Sequence, residues 1–515
     1  MNPIPGPIIL FILPILTAVI TYLVRRWATL AAFVAAVMMG VLSYLCFRLP
    51  LDRSAFVLGR EVAFGRPVVL LGQSLQIEPT GQLWLAFIFL LAMVFYLFAW
   101  RLPQGRAFFP FSLVILALYV LMGLLQLFPL RALVFAISAV LAVFVLQGEQ
   151  VISVRGAQRY LVISLLAVPL LLAAAWMVDP AHLAAQNAGL APALAHRALL
   201  PAVLGFGLLL AVFPFSTWMP SIAAEAPPLA TAFVFTAGQA MALFLALTFL
   251  RENPLVAADS ATAAAIQIAG ILMAASGGVM AAVQRDFGRL LGYAALSSFG
   301  ILLLALVTGD DQGVTLALLH HIGRSLSITL MAVALAILRR GAGTDHFVDL
   351  RGVARRLPVA TLGLMLGGLA LAGFPFTAGF PTHWAVSRAI WGLAQSAAPL
   401  VQEATPATEA AQAQSWVPTI TLVTLAVSSA GVIIGLLRGL DAMRSRSILQ
   451  KRNTRNNRLV ASGRDAQATS GEAIHQPVVA SLMVLALIGL TVVLGLYPQL
   501  FLALVEKAAQ AFSAV

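Results

Sequence analysis

Long uninterrupted apolar runs make up most of the chain, and short polar segments separate them. A helix needs about 20 residues to cross the hydrocarbon core of a bilayer, and fourteen runs approach that length. The runs are continuous and rich in Leu and Ala, which favours spanning helices over alternating strands. The pattern therefore predicts an all-α polytopic membrane protein with about 14 transmembrane helices. The runs lie near residues 3–24, 27–49, 81–100, 109–128, 130–147, 159–178, 198–216, 228–250, 262–283, 289–308, 314–338, 359–380, 416–437 and 477–498.

The composition supports the same class of protein. Of the 515 residues, 61% are hydrophobic and 10% are charged, and the mean hydropathy is +0.97. Soluble domains carry about 25% charged residues, so this chain cannot cover a water-facing surface. The first run, 4–24, has no basic region before it and no cleavage site after it, so we expect a retained span.

We expect this chain to hold no cofactor. Its single cysteine, Cys46, excludes an intrachain disulfide and a thiolate cluster held by this chain alone. The sequence also contains no Walker loop, no Gly-x-Gly-x-x-Gly fingerprint and no His-Glu-x-x-His pair. These motifs would have indicated a nucleotide or zinc site.

Basic residues collect in the loops that follow odd-numbered runs. The excess of 31 Lys and Arg over 19 Asp and Glu is therefore typical of cytoplasmic loops, and we expect no nucleic-acid partner. We expect both termini outside the cytoplasm, and the basic stretch 438–476 in the cytoplasm as a linker. That stretch either contacts anionic lipid or serves only as a topology signal. The basic loops hold Arg25 and Arg26, Arg101 and Arg106, Arg155 and Arg159, Arg285 and Arg289, five arginines within 339–356, and seven basic residues within 444–464.

Three residues in the eleventh run carry possible chemistry: His320, His321 and Arg324. A charged residue inside a spanning segment indicates a functional site. His320 and Arg324 are four positions apart and share one helix face. Histidine can pass a proton between its ring nitrogens, whereas arginine keeps its proton and sets the local field. The sequence thus predicts a proton relay, with hydrogen bonding between helices as the alternative.

Two apolar runs contain helix interruptions rich in proline and glycine. One covers 213–220 and is followed by Glu225 within 224–228; the other covers 373–381, with His383 just beyond. Such interruptions accompany polar paths in transporters. We expect residues 381–415 to form an irregular connection on the outer side.

Three motifs make the sequence resemble the antiporter-like membrane subunits of respiratory complex I and of related cation/proton antiporters and membrane hydrogenases. They are Phe-Pro-Phe-Ser-Thr-Trp-Met-Pro at 213–220 with Ala-Glu-Ala-Pro at 224–227, the stretch from Gln284 to Gly300, and Leu350 to Pro358 continuing to Phe380. The similarity covers about residues 80–440.

The resemblance implies two inverted five-helix repeats, each with a broken helix. It divides the chain into residues 1–105 with helices 1–3, 106–250 with helices 4–8, 251–440 with helices 9–13, a basic cytoplasmic linker at 441–476, and helix 14 with a tail at 477–515. No apolar run after residue 498 is long enough for the lateral helix of the longest family members.

The chain departs from the family at its charged positions. Members usually pair a glutamate in span five with a lysine in span seven, and carry further lysines or histidines in spans eight, eleven and twelve. The corresponding positions here fall near Ser138, Leu209, Gln239 or Ala240, Arg324 and His383. The first half of the expected path is thus stripped of titratable groups. The resemblance and the local chemistry together assign the proton path to His320, His321, Arg324, His383, Gln239 and Glu225.

These observations predict a non-redox membrane subunit of a proton-translocating quinone oxidoreductase of the complex I type, with a partial or modified proton path. Its partners would be other membrane subunits of such an assembly and the lipid bilayer. We expect it in the plasma membrane of a bacterium. The alternatives are a non-conducting structural subunit, and a subunit of a cation/proton antiporter or an inorganic-carbon uptake complex.

The orientation is testable by labelling. A Ser462→Cys variant places a thiol in the basic stretch, which we expect in the cytoplasm. A membrane-impermeant maleimide should label it only after the cells are permeabilised. Labelling of intact cells would reverse the orientation.

Overall fold

A computed structural model describes residues 4–48, 54–57, 60–63, 65–70, 72–100, 102, 104–105, 107–148, 153–179, 191–308, 310–402, 409–445 and 478–513. Most of the basic linker expected at 441–476 lies outside the described residues, as do Glu149 and Ser462.

Helices account for nearly all of the described chain. A π-helical turn, Val234–Gly238, joins α9 to α10, and 3-10 turns cover Phe215–Thr217 and Phe347–Asp349. In chain order the α-helices are α1 (Gly6–Leu23), α2 (Ala28–Arg48), α3 (Pro79–Ala99), α4 (Phe108–Leu124), α5 (Phe128–Leu146), α6 (Arg155–Met177), α7 (Ala191–Leu209), α8 (Trp218–Glu225), α9 (Pro228–Phe233), α10 (Gln239–Glu252), α11 (Pro254–Ala257), α12 (Ser260–Val283), α13 (Phe287–Leu306), α14 (Asp310–Ala342), α15 (Val353–Arg356), α16 (Pro358–Leu371), α17 (Phe380–Gln402), α18 (Glu409–Arg444), α19 (Val478–Leu496) and α20 (Gln499–Ser513).

Two small sheets lie between α2 and α3, in a connection that the sequence analysis left unassigned. In the first sheet, Arg60–Ala63 pairs antiparallel with Ser54–Val57 and parallel with Ile4–Pro5. The second is an antiparallel pair of Val68–Leu70 and Gln73–Leu75.

The polytopic all-α architecture is confirmed. Within the described residues, twelve helices are long and apolar enough to cross a bilayer, and two shorter apolar helices, α4 and α16, lie at the fourth and twelfth predicted runs. The count of fourteen spans, the two repeats and the domain boundaries remain predictions. The most deeply buried spans are Pro228–Glu252, which contains α9, the π-turn and α10, together with α13 and α14, so the core of the bundle lies around them.

Both predicted interruptions are present as breaks between helices. The first separates α7 from α8 and the second separates α16 from α17; Ala211 and Phe376 have positive φ angles within them. The two segments 208–220 and 369–381 are identical at seven of thirteen positions, including Phe-Pro-Phe. This internal similarity supports the expected pair of repeats.

The expectation of an irregular stretch at 381–415 is wrong. α17 covers Phe380–Gln402, and α18 begins at Glu409. The physical reason is the position of Pro381 in the first turn of α17. The backbone N–H groups of a first turn have no acceptor within the helix, so proline, which has no N–H, is tolerated there. The twelfth span is therefore a broken helix whose second part carries His383.

Small residues allow α12, α13 and α18 to approach closely. A side chain at Gly278 would overlap the backbone of Ser428, and a side chain at Gly277 would overlap Ser297. Ser297 Oγ and Ser428 Oγ share a hydrogen bond of 2.5 Å across the same contact. Small residues and hydroxyl groups are the usual means of helix association in membranes.

This close packing predicts opposite effects for two glycine substitutions. Gly278→Ala should lower the free energy of unfolding by about 1–3 kcal/mol, because the added methyl group forces α18 away from α12. Gly489→Ala is the matched control: it lies on α19 with open space around it, and should raise stability by about 0.5–1 kcal/mol. Thermal unfolding in detergent measures both. Equal stabilities for the two variants would contradict the packing.

Candidate functional site

A buried guanidinium occupies the middle of α14. Arg324 donates to the carbonyl oxygens of Phe235 at 2.7 Å and Ala295 at 3.1 Å, and to Gln239 Oε1 at 2.5 Å. Its charged group also lies 5.1 Å from the centre of the Phe299 ring. All of these partners are neutral, and Arg324 is only 1% exposed. The site therefore contains a positive charge that is hydrogen-bonded but not neutralised.

The π-helical turn explains one of these bonds. A π-turn shifts backbone groups out of the regular helical register, and such turns often occur at functional sites. Here the turn contains Phe235, whose carbonyl oxygen accepts from Arg324.

His320 contacts α13 on one side and α17 on the other. Its Nε2 lies 3.0 Å from Ser298 Oγ and 2.9 Å from the Ser298 carbonyl oxygen, and its Nδ1 lies 2.8 Å from Thr382 Oγ1. A hydroxyl group can donate or accept, so either neutral tautomer of the imidazole finds partners. The arrangement thus permits a proton to enter at one ring nitrogen and leave from the other.

His383 lies against His320, with the two ring centroids 5.3 Å apart. The break before α17 makes room for this ring, because a side chain at Gly373 would overlap it. Gly373 also has a φ of 71°, which favours glycine. Within the described residues, His383 Nε2 has no hydrogen-bond partner, so it is available to a mobile donor or acceptor.

His321 points to a different side of α14 from His320. Its ring packs edge-on against Phe87 of α3, at 5.7 Å between centroids. The ring is buried, and its polar neighbour is the backbone of Thr236.

Glu225 does not join this cluster. Its Oε2 accepts from the Gly156 backbone at 2.8 Å, which satisfies an N-terminal amide of α6. Glu225 ends α8 beside Arg339, which lies fifteen residues beyond Arg324 on α14, or about 22 Å along the helix. The structure thus brings together His320, Arg324, His383 and Gln239, places His321 on a neighbouring face, and puts Glu225 at the end of the bundle.

Arg339 and Asp345 form a clamp that the sequence analysis treated only as loop charges. Arg339 donates to the carbonyl oxygens of Ala223, Ala224 and Ala226 at 2.9–3.0 Å, and to Asp345 Oδ2 at 2.6 Å. Asp345 also accepts from the Gly288 backbone at 3.0 Å. The clamp therefore joins the end of α8 to α13 and α14.

Asp286 lies next to this clamp, at the start of α13. Its carboxylate accepts from the Arg289 backbone at 2.8 Å and so caps the helix. Burial raises the pKa of the Asp286 carboxyl, and the neighbouring Asp345 carboxylate adds to the effect.

A cavity of about 1160 Å³ opens beside the clamp. Glu225, Pro227, Ala336 and Arg339 line it, together with Gln104, whose buried amide has no partner among the described residues. We call this cavity the vestibule. It brings a polar space to the junction of α8 and α9.

The first half of the chain lacks a corresponding polar centre within the described residues. Ser138 Oγ donates to its own helix, at the Phe135 carbonyl, and Leu209 is buried among apolar residues. The charge pair of α5 is instead Arg131 with Glu252, at 2.5 Å, near helix ends. Glu149, the carboxylate nearest to Ser138 in sequence, lies outside the described part of the chain.

The partners Ser298, Thr382 and Phe235 were not singled out from the sequence as site residues. Ser298 lies within a quoted motif, but nothing in its neighbours indicates a histidine contact. The carbonyl of Phe235 carries no side-chain signal, and only a helix assignment for residues after 380 would have placed Thr382 beside His320.

The described fold and its central polar cluster define an antiporter-like membrane subunit. The chain belongs to the family described as NADH:quinone oxidoreductase/Mrp antiporter, TM, whose profile matches residues 130–402, more than half of its length.

Curated relatives match shorter stretches. NADH-quinone oxidoreductase subunit N from Chromohalobacter salexigens is 32% identical over 182 residues, which is 35% of this chain and 38% of the relative. F(420)H(2) dehydrogenase subunit M from Methanosarcina mazei is 28% identical over 216 residues, which is 40% of this chain and 42% of the relative. The matched stretch thus spans about two fifths of these relatives.

Solved structures match nearly the whole chain in fold. A chain of respiratory complex I from Thermus thermophilus superposes with a TM-score of 0.69 at 19% identity, covering 99% of both chains. A chain of the Mrp complex from Dietzia sp. gives a TM-score of 0.74 at 18% identity, covering 98% of this chain and 52% of that one. The family match confirms the resemblance inferred from the sequence motifs, and these structures agree with it in fold.

The clamp predicts a stability effect. Arg339→Met removes the donor that Asp345 shares with three carbonyl groups at the end of α8, so the free energy of unfolding should fall by about 1.5–3 kcal/mol. Arg351→Met, at an exposed position, is the matched control and should change it by less than about 0.5 kcal/mol. Thermal unfolding in detergent compares them. An unchanged Arg339→Met protein would show that the clamp contributes nothing.

Proposed function

We propose that this chain is a membrane subunit of a proton-translocating quinone oxidoreductase of the complex I type, and that its second half holds a partial proton path. The contact between His320 and His383 carries this proposal, because it places two imidazoles together inside a spanning bundle. The names of the curated relatives support the assignment to such an assembly.

The hydrogen bonds of His320 support a proton-carrying role. Its two ring nitrogens face different helices, Ser298 on α13 and Thr382 on α17. A proton taken up at one nitrogen and released at the other would therefore move across the interface between these helices. His383 is the next titratable group in that direction.

The path is partial because its other half lacks the carboxylate and the amine that family members pair there. The positions near Ser138 and Leu209 hold no carboxylate and no amine, and Gln239 cannot titrate. Protons would accordingly pass through the α13, α14 and α17 side of the bundle. His321 and Glu225 would serve this path only indirectly, at its margins.

In this proposal the chain itself holds no redox cofactor, and other membrane subunits are its partners. It lies in the plasma membrane of a bacterium with both termini outside. The vestibule then faces the cytoplasm, because the end of α14 that borders it carries Arg339 and Arg340.

One observation weighs against transport of a metal cation, the activity that a cation/proton antiporter subunit would have. Within the described spanning helices, Asp and Glu occur only at or near helix ends. Sodium and potassium ions need oxygen ligands, usually with negative charge, to leave water. The central cluster offers imidazoles and a guanidinium instead.

The proposal is tested with His320→Gln and His383→Gln in the assembled complex, reconstituted in vesicles. Glutamine keeps hydrogen-bonding groups but cannot carry a proton. Each variant should lower the number of protons translocated per electron, and the double variant should lower it no further, because one interrupted relay cannot be interrupted twice.

The matched control is His196→Gln, since His196 is largely exposed and pairs with Asp259 away from the cluster. It should leave the ratio unchanged. Normal assembly with unchanged proton translocation in all three single variants would instead favour a non-conducting structural subunit.

A further inference from the structure

The charge of Arg324 has no counterion in the described structure. Its three hydrogen-bond acceptors are two backbone carbonyls and the amide of Gln239. The described Asp and Glu residues lie at or near helix ends, in loops, in the strand Arg60–Ala63, or, for Glu506, on the exposed side of α20. Arginine does not release its proton under ordinary conditions. The described interior of the bundle therefore contains a permanent net positive charge.

Arg324 stands between the vestibule and the two histidines along α14. Ala336, which lines the vestibule, lies twelve residues away in one direction, or about 18 Å of helix. His320 lies four residues away in the other direction, or about 6 Å. A proton that moved along α14 from the vestibule to His320 would pass the guanidinium.

A fixed positive charge in a low-dielectric interior opposes the approach of a second one. The electrostatic repulsion between two positive charges is far stronger in such an interior than in water, because the surroundings do not screen it. Pores that must exclude protons and cations use an arginine or the positive ends of helices in this way.

We propose that Arg324 is an insulating residue: its charge prevents protons in the vestibule from reaching the His320–His383 pair. Gln239 and the carbonyls of Phe235 and Ala295 are positioning groups that hold the guanidinium across the route. The histidine pair then exchanges protons only when this arrangement is disturbed, or with the opposite face of the membrane. This inference rests on the proposed proton-carrying role of His320.

The test measures passive proton flux through the full chain in liposomes, under an imposed potential and with a pH-sensitive dye inside. The wild-type chain should match protein-free liposomes. Arg324→Gln should raise the flux by about tenfold or more, because it removes the opposing charge. The double variant Arg324→Gln/His320→Leu should return to the background, since the carrier is also removed.

Arg131→Gln is the matched control. It also removes a buried guanidinium, but from the pair with Glu252 near the ends of α5 and α10. A similar flux in this variant would overturn the insulating role, because general loosening of the bundle would then explain the leak.

The remaining outcomes separate the two proposals. No rise in a folded Arg324→Gln protein overturns the insulating role and leaves the proposed function standing. A rise that persists in the double variant overturns the role of His320, and with it the proposed function.

If Arg324→Gln does not fold, Gln239→Glu keeps the arginine and neutralises its charge, and the same rise in flux is expected. A flux that stays at the background in Gln239→Glu overturns the insulating role.

Discussion

The rest of the site depends on how one guanidinium is held inside a membrane with no carboxylate partner among the described residues. A charged side chain is expensive at this depth, and hydrogen bonds reduce the cost. Arg324 obtains them from a π-helical turn, from Gln239 and from the backbone of α13. These groups come from two spans, Pro228–Glu252 and α13, so the position of the charge fixes how both of them pack against α14. The same three spans are the most deeply buried of the bundle.

Two other structural features lie at the two ends of the polar region along α14. The break before α17 turns the chain so that His383 and Thr382 face His320. At the other end, the clamp of Arg339 and Asp345 fixes the end of α8 and borders the vestibule. The polar residues thus form two separate groups along α14, and Arg324 lies between them. An arrangement of this kind suits controlled access better than an open channel.

The sequence predicted the spanning helices well, because length and hydropathy decide which segments enter a bilayer. It also predicted that His320 and Arg324 share a helix face, since that follows from a spacing of four. It failed at Phe380–Gln402, where Pro381 and the polar residues beyond it were interpreted as a connection. Proline starts a helix as readily as it ends one, and local pattern does not distinguish the two cases.

The hydrogen-bond partners of Arg324 could not be predicted from local sequence patterns, for a different reason. Gln239 is 85 residues from Arg324, and Phe235 contributes only a backbone carbonyl. Contacts of this kind depend on the packing of helices that are far apart in sequence. The hydrophobic periodicity of the sequence does not specify that packing. The clamp illustrates the same limit, because Arg339 resembles any other basic residue of a cytoplasmic loop until its three carbonyl partners are seen.

The insulating role requires that the charge of Arg324 is not neutralised. An electron cryo-microscopy structure of the assembled complex would measure this as the distance from the Arg324 guanidinium to the nearest carboxylate oxygen. No carboxylate, from this chain or from a neighbouring subunit, should lie within ion-pair distance of about 4 Å. A carboxylate in contact with Arg324, whether Glu149 or a residue of another subunit, would contradict it.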